Sequence, residues 1–226
     1  MKNSKGFSFI PLMAIIMMSI CSVFSAKAQY AQIASKLPEL ISPALSGSMN
    51  YKGFVEATGT VGVGSNRVNF FGVSTSQGFQ YASWFFMGAG IGVDVANASG
   101  VDNEPLVGVG RPDASSTRAM IPLFSDFRFN IGQGGGPSFF IDIKAGAAWI
   151  IGGNLLVRDG VVSNSTKFLL RPSIGVRIPT NANNPKQAVN IGVTYQLLTA
   201  NNSWDYWNNY YDTTLSSFGA TVSYEW

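Results

Sequence analysis

The chain has 226 residues, with 15 basic side chains, 12 acidic ones, one cysteine and no histidine. Without imidazole the usual general base near neutral pH is missing. A single cysteine excludes an internal disulfide framework and a thiolate metal cluster.

Lys2 and Lys5 precede an apolar run from Phe7 to Ile20, and Ala26-Lys27-Ala28 supplies small residues where a signal peptidase reads. The pattern predicts a secretory signal peptide over residues 1–28, cleaved between Ala28 and Gln29. The run is short for a bilayer span and carries Pro11, which argues against a membrane anchor. Ile20 ahead of Cys21 argues against a lipoprotein site. Cleavage removes Cys21 together with Lys2, Lys5 and Lys27, leaving twelve basic against twelve acidic residues. A balanced mature chain gives no reason to expect a nucleic-acid partner.

Residues 29–48 carry Ile33, Leu37, Leu40, Ile41 and Leu45 at spacings suited to a short amphipathic helix, kinked at Pro38. This segment reads as a lead-in folded against the mouth of whatever follows, with a plug as the alternative.

From Met49 onward, eight strand-like segments lie between Gly, Asn, Pro and Ser clusters, near 50–63, 68–80, 84–95, 119–131, 138–150, 167–178, 188–198 and 216–226. At about ten to thirteen residues they suit tilted bilayer-crossing strands. One phase of the two-residue period is apolar: Val55, Ala57 and Val61 in the first segment, Ile91, Val93 and Val95 in the third, Leu123, Phe127 and Phe129 in the fourth. Ile141, Ile143 and Trp149 continue it in the fifth, Ile174 and Val176 in the sixth, Ile191, Val193 and Tyr195 in the seventh.

The other phase collects the charges: Lys52, Arg128, Lys144, Arg171 and Arg177 against Glu56, Asp94, Asp126, Asp142 and Glu225. Five against five in one interior predicts ion pairs across a lumen, because buried charges need partners. A soluble sandwich would place the same residues the other way round. The second segment is ambiguous in both phases, and Pro172 inside the sixth predicts a bulge.

The connections alternate in length. Ala96–Arg118, Ile151–Thr166 and Thr199–Leu215 are long, Gly64–Arg67 is short, and Tyr81–Ser83, Gly132–Pro137 and Thr180–Gln187 are short. The closing segment SFGATVSYEW (Ser217–Trp226) puts Phe218, Val222, Tyr224 and Trp226 on one face. An all-β, eight-stranded antiparallel up-and-down transmembrane barrel over 49–226 is the expected fold. Both termini are then periplasmic, in the outer membrane.

SFGATVSYEW resembles the C-terminal recognition signal of Gram-negative outer-membrane proteins. YKGFVEATG (Tyr51–Gly59), IPLFSDFRFN (Ile121–Asn130) and FIDIKAGAAW (Phe140–Trp149) resemble a family of small eight-stranded outer-membrane barrels, with the architecture of OmpX and the OmpA membrane domain. The resemblance implies outer-membrane lipids as surroundings. It also implies that the barrel-assembly machinery reads the closing strand through Phe218, Val222, Tyr224 and Trp226.

Chemistry has little support. Asp126 and Asp142 could mimic a carboxylate dyad, but Arg128 and Lys144 sit two residues away on the same face and an ion-pair network explains all four. Asp102, Glu104 and Asp113 lack calcium-loop spacing, and the glycine runs at 88–92 and 132–136 open no helix. No cofactor, metal or catalytic residue is expected. The segment Asn201–Thr213 carries Trp204, Tyr206, Trp207, Tyr210 and Tyr211, suited to a glycan or protein ligand or to an outer aromatic girdle. The expected function is a non-enzymatic barrel acting through its extracellular loops in envelope integrity or adhesion. A narrow pore is the alternative, and a lipid-modifying enzyme the reserve.

Overall fold

The computed structural model describes residues 50–100, 114–132, 136–180, 186–204 and 210–226, with backbone alone at 200–204 and 210–211. The expected signal peptide, the lead-in helix and Asp102, Glu104 and Asp113 lie outside them.

Ten strands follow in order: β1 (Asn50–Val63), β2 (Val68–Ala82), β3 (Phe85–Ala98), β4 (Thr117–Ile131), β5 (Ser138–Ile151), β6 (Leu155–Val157), β7 (Gly160–Val162), β8 (Thr166–Pro179), β9 (Ala188–Trp204) and β10 (Tyr210–Glu225). The eight long ones pair antiparallel with their sequence neighbours, and β10 closes on β1. The sheet is therefore a closed up-and-down barrel, with no free edge along its wall. Asn50 and Trp226 lie at one end, here the terminal end, with the short turns. The long connections lie at the other, the loop end.

The pleat sorts the side chains as the two-residue period requires. Outside, Val61, Val73, Ile91, Val93, Phe139, Ile174, Ile191 and Phe218 are exposed. Inside, all ten charges of the lumen phase are buried. The face of β2 that sequence left open is settled by its register. Gly72 and Ser74 pair with Thr58 and Glu56, which puts Val68, Phe70, Ser74 and Ser76 inside and Phe71 and Val73 outside.

Two expectations need correction. Pro172 makes no bulge: pairing with β9 resumes at Ser173↔Thr194 in the register it left at Leu170↔Leu197. Proline simply drops its own rung, and its carbonyl accepts a hydrogen bond from Thr194 Oγ1 at 3.1 Å. The register shifts that do occur lie between Gln80 and Ala82 and between Tyr211 and Thr213. The long connections are also partly strand. β9 runs to Trp204 and β10 starts at Tyr210, so much of Thr199–Leu215 is ladder. Likewise Ile151–Thr166 contains the hairpin β6–β7, which joins the barrel by pairing Val161 with Trp204 and Val162 with Ser203.

An aromatic belt surrounds the terminal end. Trp84 stacks on Phe129 (centroids 6.2 Å apart, 22° between planes), Phe85 lies 5.1 Å from Phe129, and Tyr224 stacks on Trp226 at 6.3 Å. Tyr and Trp favour this level because their rings suit the acyl region and their polar atoms the headgroups.

Candidate functional site: the lumen and its two mouths

The lumen fills in layers. Nearest the terminal end, Glu225 accepts from Lys52 Nζ at 3.1 Å and from Arg177 Nη2 at 2.5 Å and Nε at 2.6 Å, all on Oε1. Asn190 Nδ2 reaches its other oxygen at 3.4 Å. These residues come from β1, β8, β9 and β10, so the layer ties the closing seam to the strands beside it.

The middle layer holds Glu56, Asp126, Arg128, Asp142 and Lys144. Arg128 Nη2 donates to Asp142 Oδ2 at 2.9 Å and lies 3.9 Å from Glu56 Oε2. Lys144 bridges Glu56, at 3.0 Å, and Asp142. Asp126 forms no ion pair here and accepts from Ser76 Oγ at 2.5 Å. The Arg128 guanidinium is sandwiched between the rings of Phe54, 4.1 Å away, and Phe140, 4.7 Å away. That stacking desolvates the cation while its partners compensate the charge. Gly90 makes the narrow lumen possible: a β-carbon there would stand 2.6 Å from Phe124 Cζ.

Further toward the loop end, Arg171 Nη2 pairs with Asp94 at 2.5 Å and its Nε donates to Gln196 at 2.8 Å. Hydroxyl pairs fill the space around them, Ser217–Thr60 at 2.8 Å and Ser173–Thr194 at 2.9 Å. Thus all ten predicted lumen residues are brought into one buried interior, nine of them in ion pairs.

The loop end departs from the expected polar interior. Val68, Phe70, Met120, Ile150, Leu169, Leu198 and Leu215 point inward there and are buried. Leu155, Val157 and Val162 of the β6–β7 hairpin join them in one apolar cluster. The hairpin is held by backbone bonds from Leu156 N to Ser115 O (2.9 Å) and from Ser115 N to Asn154 O (3.1 Å). The Asp159 amide donates to Asn66 Oδ1 at 3.0 Å and Arg118 Nε to Asn154 O at 3.0 Å. It is an apolar stopper. Sequence reading missed it, although the apolar lumen-phase residues at the loop ends of the strands signalled it. Lys167, buried beside the hairpin, was missed too; it donates to Ser163 (3.1 Å) and Ser165 (2.7 Å).

Among the surface candidates, Trp204, Tyr210 and Tyr211 continue the ladder of β9 and β10, with Trp204 paired to Tyr210. Tyr206 and Trp207 lie outside the described residues. In the closing strand, Phe218, Val222, Tyr224 and Trp226 all face outward. Trp226 exchanges backbone bonds with Gly53, both at 3.1 Å.

No family model and no curated protein matches this chain. Solved structures with a similar fold include Neisserial surface protein A (NspA), at 10% identity and a TM-score of 0.47, covering 78% of this chain and 97% of that one. The N-terminal β-barrel domain of Pseudomonas aeruginosa OprF aligns at 10% identity and a TM-score of 0.40, covering 77% and 97%. The outer membrane enzyme PagL aligns at 16% identity and a TM-score of 0.43, covering 76% and 97%. At such identities the likeness is one of fold, and no activity passes from any of them to this chain. A closed eight-stranded sheet with its charges inside and an apolar, aromatic-belted exterior is an integral outer-membrane β-barrel.

Proposed function

We propose that this chain is a sealed, non-enzymatic barrel that acts through its loop end in envelope integrity or surface interaction. The observation that carries this reading is the double closure of the lumen, by a buried ion-pair layer and by the apolar stopper above it. Eight strands leave an interior that side chains just fill, and here they fill it twice over. Asp126 and Asp142, the carboxylate pair that could mimic a catalytic dyad, are fully buried within the middle layer. Among the described residues both are closed off from solvent by the side chains packed around them.

On this reading the terminal end is periplasmic, and the loop end, with the β9–β10 extension, meets the exterior. Recording from the purified barrel in planar bilayers is expected to give no stable single-channel steps; reproducible steps would overturn the sealed barrel. Incubation with outer-membrane lipids is expected to leave their masses unchanged, and any new acyl product would overturn the non-enzymatic reading. Replacing Asn201–Thr213 and screening both forms against glycans and envelope proteins tests the role of the loop end. A ligand bound by both forms alike would move recognition elsewhere. The assembly machinery is proposed to read the closing strand, so deleting Trp226 or changing Tyr224→Asp should impair insertion, read as loss of heat-modifiable barrel.

A further inference from the structure

Asn50, the first residue of β1, lines the terminal mouth, and residues 29–48 of the expected mature chain run up to it through Met49. Connectivity alone brings this segment to the mouth: five extended residues span at most ~18 Å, so Leu45 stays close to Asn50. The segment carries Ile33, Leu37, Leu40, Ile41 and Leu45 against two charges of opposite sign, Lys36 and Glu39. Left in water, those aliphatic side chains bury nothing. Pro38 and Pro43 keep the segment from lengthening β1, since each lacks the N–H that a ladder needs.

The mouth offers the counterpart. A cavity of about 450 Å³ opens there, with Tyr81 and Trp226 giving it aromatic surface and Asn50, Gln80 and Asn130 giving it amide groups. That is the volume of a small-ligand pocket, with room for several aliphatic side chains. The Asn130 side-chain oxygen is buried with no hydrogen-bond partner among the described residues. It is an acceptor that a peptide N–H entering the mouth would satisfy. Charge does not select the occupant. Lys52 and Arg177 meet Glu225 beneath the cavity, and its lining carries both Lys186 and the α-carboxylate of Trp226. A mouth of mixed sign suits a segment with one charge of each sign.

We propose that residues 29–48 fold back into the terminal mouth, with Leu37, Ile41 and Leu45, four residues apart, seated in the cavity against Tyr81 and Trp226. A peptide N–H of the segment donates to Asn130. The chain thus carries its own cover for the terminal end, separate from the ion-pair layers and the apolar stopper. This closure stands whether or not the loop end recognises a ligand.

The test uses the whole mature chain in phosphatidylcholine nanodiscs, which leave both mouths open to reagents. From Gln29 onward the chain has no cysteine, so introduced pairs report without background. Under mild oxidation, Ile41→Cys combined with Gln80→Cys on the cavity wall is expected to link within one chain in most molecules. Ile41→Cys combined with Ser65→Cys in the loop-end turn is expected not to link. Trypsin should cut after Lys36 about tenfold or more slowly in the wild type than in a variant carrying Leu37→Ser, Ile41→Ser and Leu45→Ser, because a seated segment is withheld from the protease. Retained heat-modifiability shows that each variant keeps its barrel. No link in the mouth pair, an equal yield in the loop-end pair, links that run only between two chains, or equal cleavage of the wild type and the triple variant would each overturn the proposal.

Discussion

Arg128 shows how one side chain carries several jobs inside a barrel. It compensates Asp142 and Glu56, and its flat guanidinium fills the space between Phe54 and Phe140. Removing it leaves both carboxylates to Lys144 and opens a gap between two rings. Arg128→Ala is expected to cost about 3–5 kcal/mol in urea unfolding from lipid vesicles, because a broken buried pair strands its partners. Asp126 makes the opposite case. It is the third carboxyl of a layer with two cations, and it accepts a hydrogen bond from Ser76. Asp126→Asn keeps an acceptor for Ser76 and removes a buried carboxyl that enters no ion pair among the described residues, so the same assay should show stability unchanged or raised. A third residue matters through having no side chain. A β-carbon on Gly53 would stand 2.5 Å from Trp226 Cζ2 and 2.6 Å from Gln77 Oε1. Gly53→Ala should push the terminal indole off the seam and cost roughly 1–3 kcal/mol, read as a lower temperature of heat-modifiable unfolding.

Among the elements, the β6–β7 hairpin is the informative one. It belongs to the barrel by packing more than by pairing, since only two of its residues pair with a barrel strand. Replacing Leu155–Val162 by a Gly–Ser linker should leave the barrel heat-modifiable, because its wall is intact. It should also expose Val68, Met120 and Leu198 to water and lower the unfolding midpoint. Conductance should stay absent in that variant, since the Glu56–Arg128–Asp142–Lys144 layer still blocks the lumen. The hairpin was hard to read from sequence. Leu155–Val157 and Val161–Val162 are short apolar runs in a glycine-rich connection, and nothing local distinguishes a folded-in stopper from an ordinary loop. Its partners come from strands β2, β3, β4, β5, β8, β9 and β10, and only closure of the sheet brings them to one mouth. The second strand was unreadable for a related reason. Asn69, Thr75 and Gln77 share a face with Phe71 and Val73, and the register with β1 and β3 decides which side they take.

For the whole molecule, the governing fact is the solvent on each side of the wall. Outside, the wall offers Val, Ile and Phe to hydrocarbon; inside, charges pair with charges. At about 3.3 Å per residue and a tilt near 40°, strands of 14–17 residues stand taller than the ~25 Å apolar band. The surplus lies toward the loop end, where β9 and β10 extend. A charge on the lipid face tests this arrangement directly. Val93, exposed and near mid-height on β3, should tolerate Leu but lose roughly 2–4 kcal/mol as Val93→Arg in vesicle unfolding. An equal loss for a lumen-facing neutral swap such as Ser74→Ala would contradict the assigned faces.

By itself, the sequence determined which residues face lipid and which face the lumen in seven of the eight long strands. A strand's period of two binds every side chain to its neighbours' faces, and charge cannot sit in hydrocarbon without cost. It likewise pointed to the closing strand and to ten of the buried lumen-phase charges, though not to Lys167. Tertiary structure alone decided who pairs with whom: that Asp126 accepts from a serine and enters no ion pair among the described residues, that two cations share Glu225, and that a loop hairpin stops the loop end. Those outcomes depend on which strands stand opposite across the lumen and at what height, and sheet closure and shear fix that distance relation where no local pattern can.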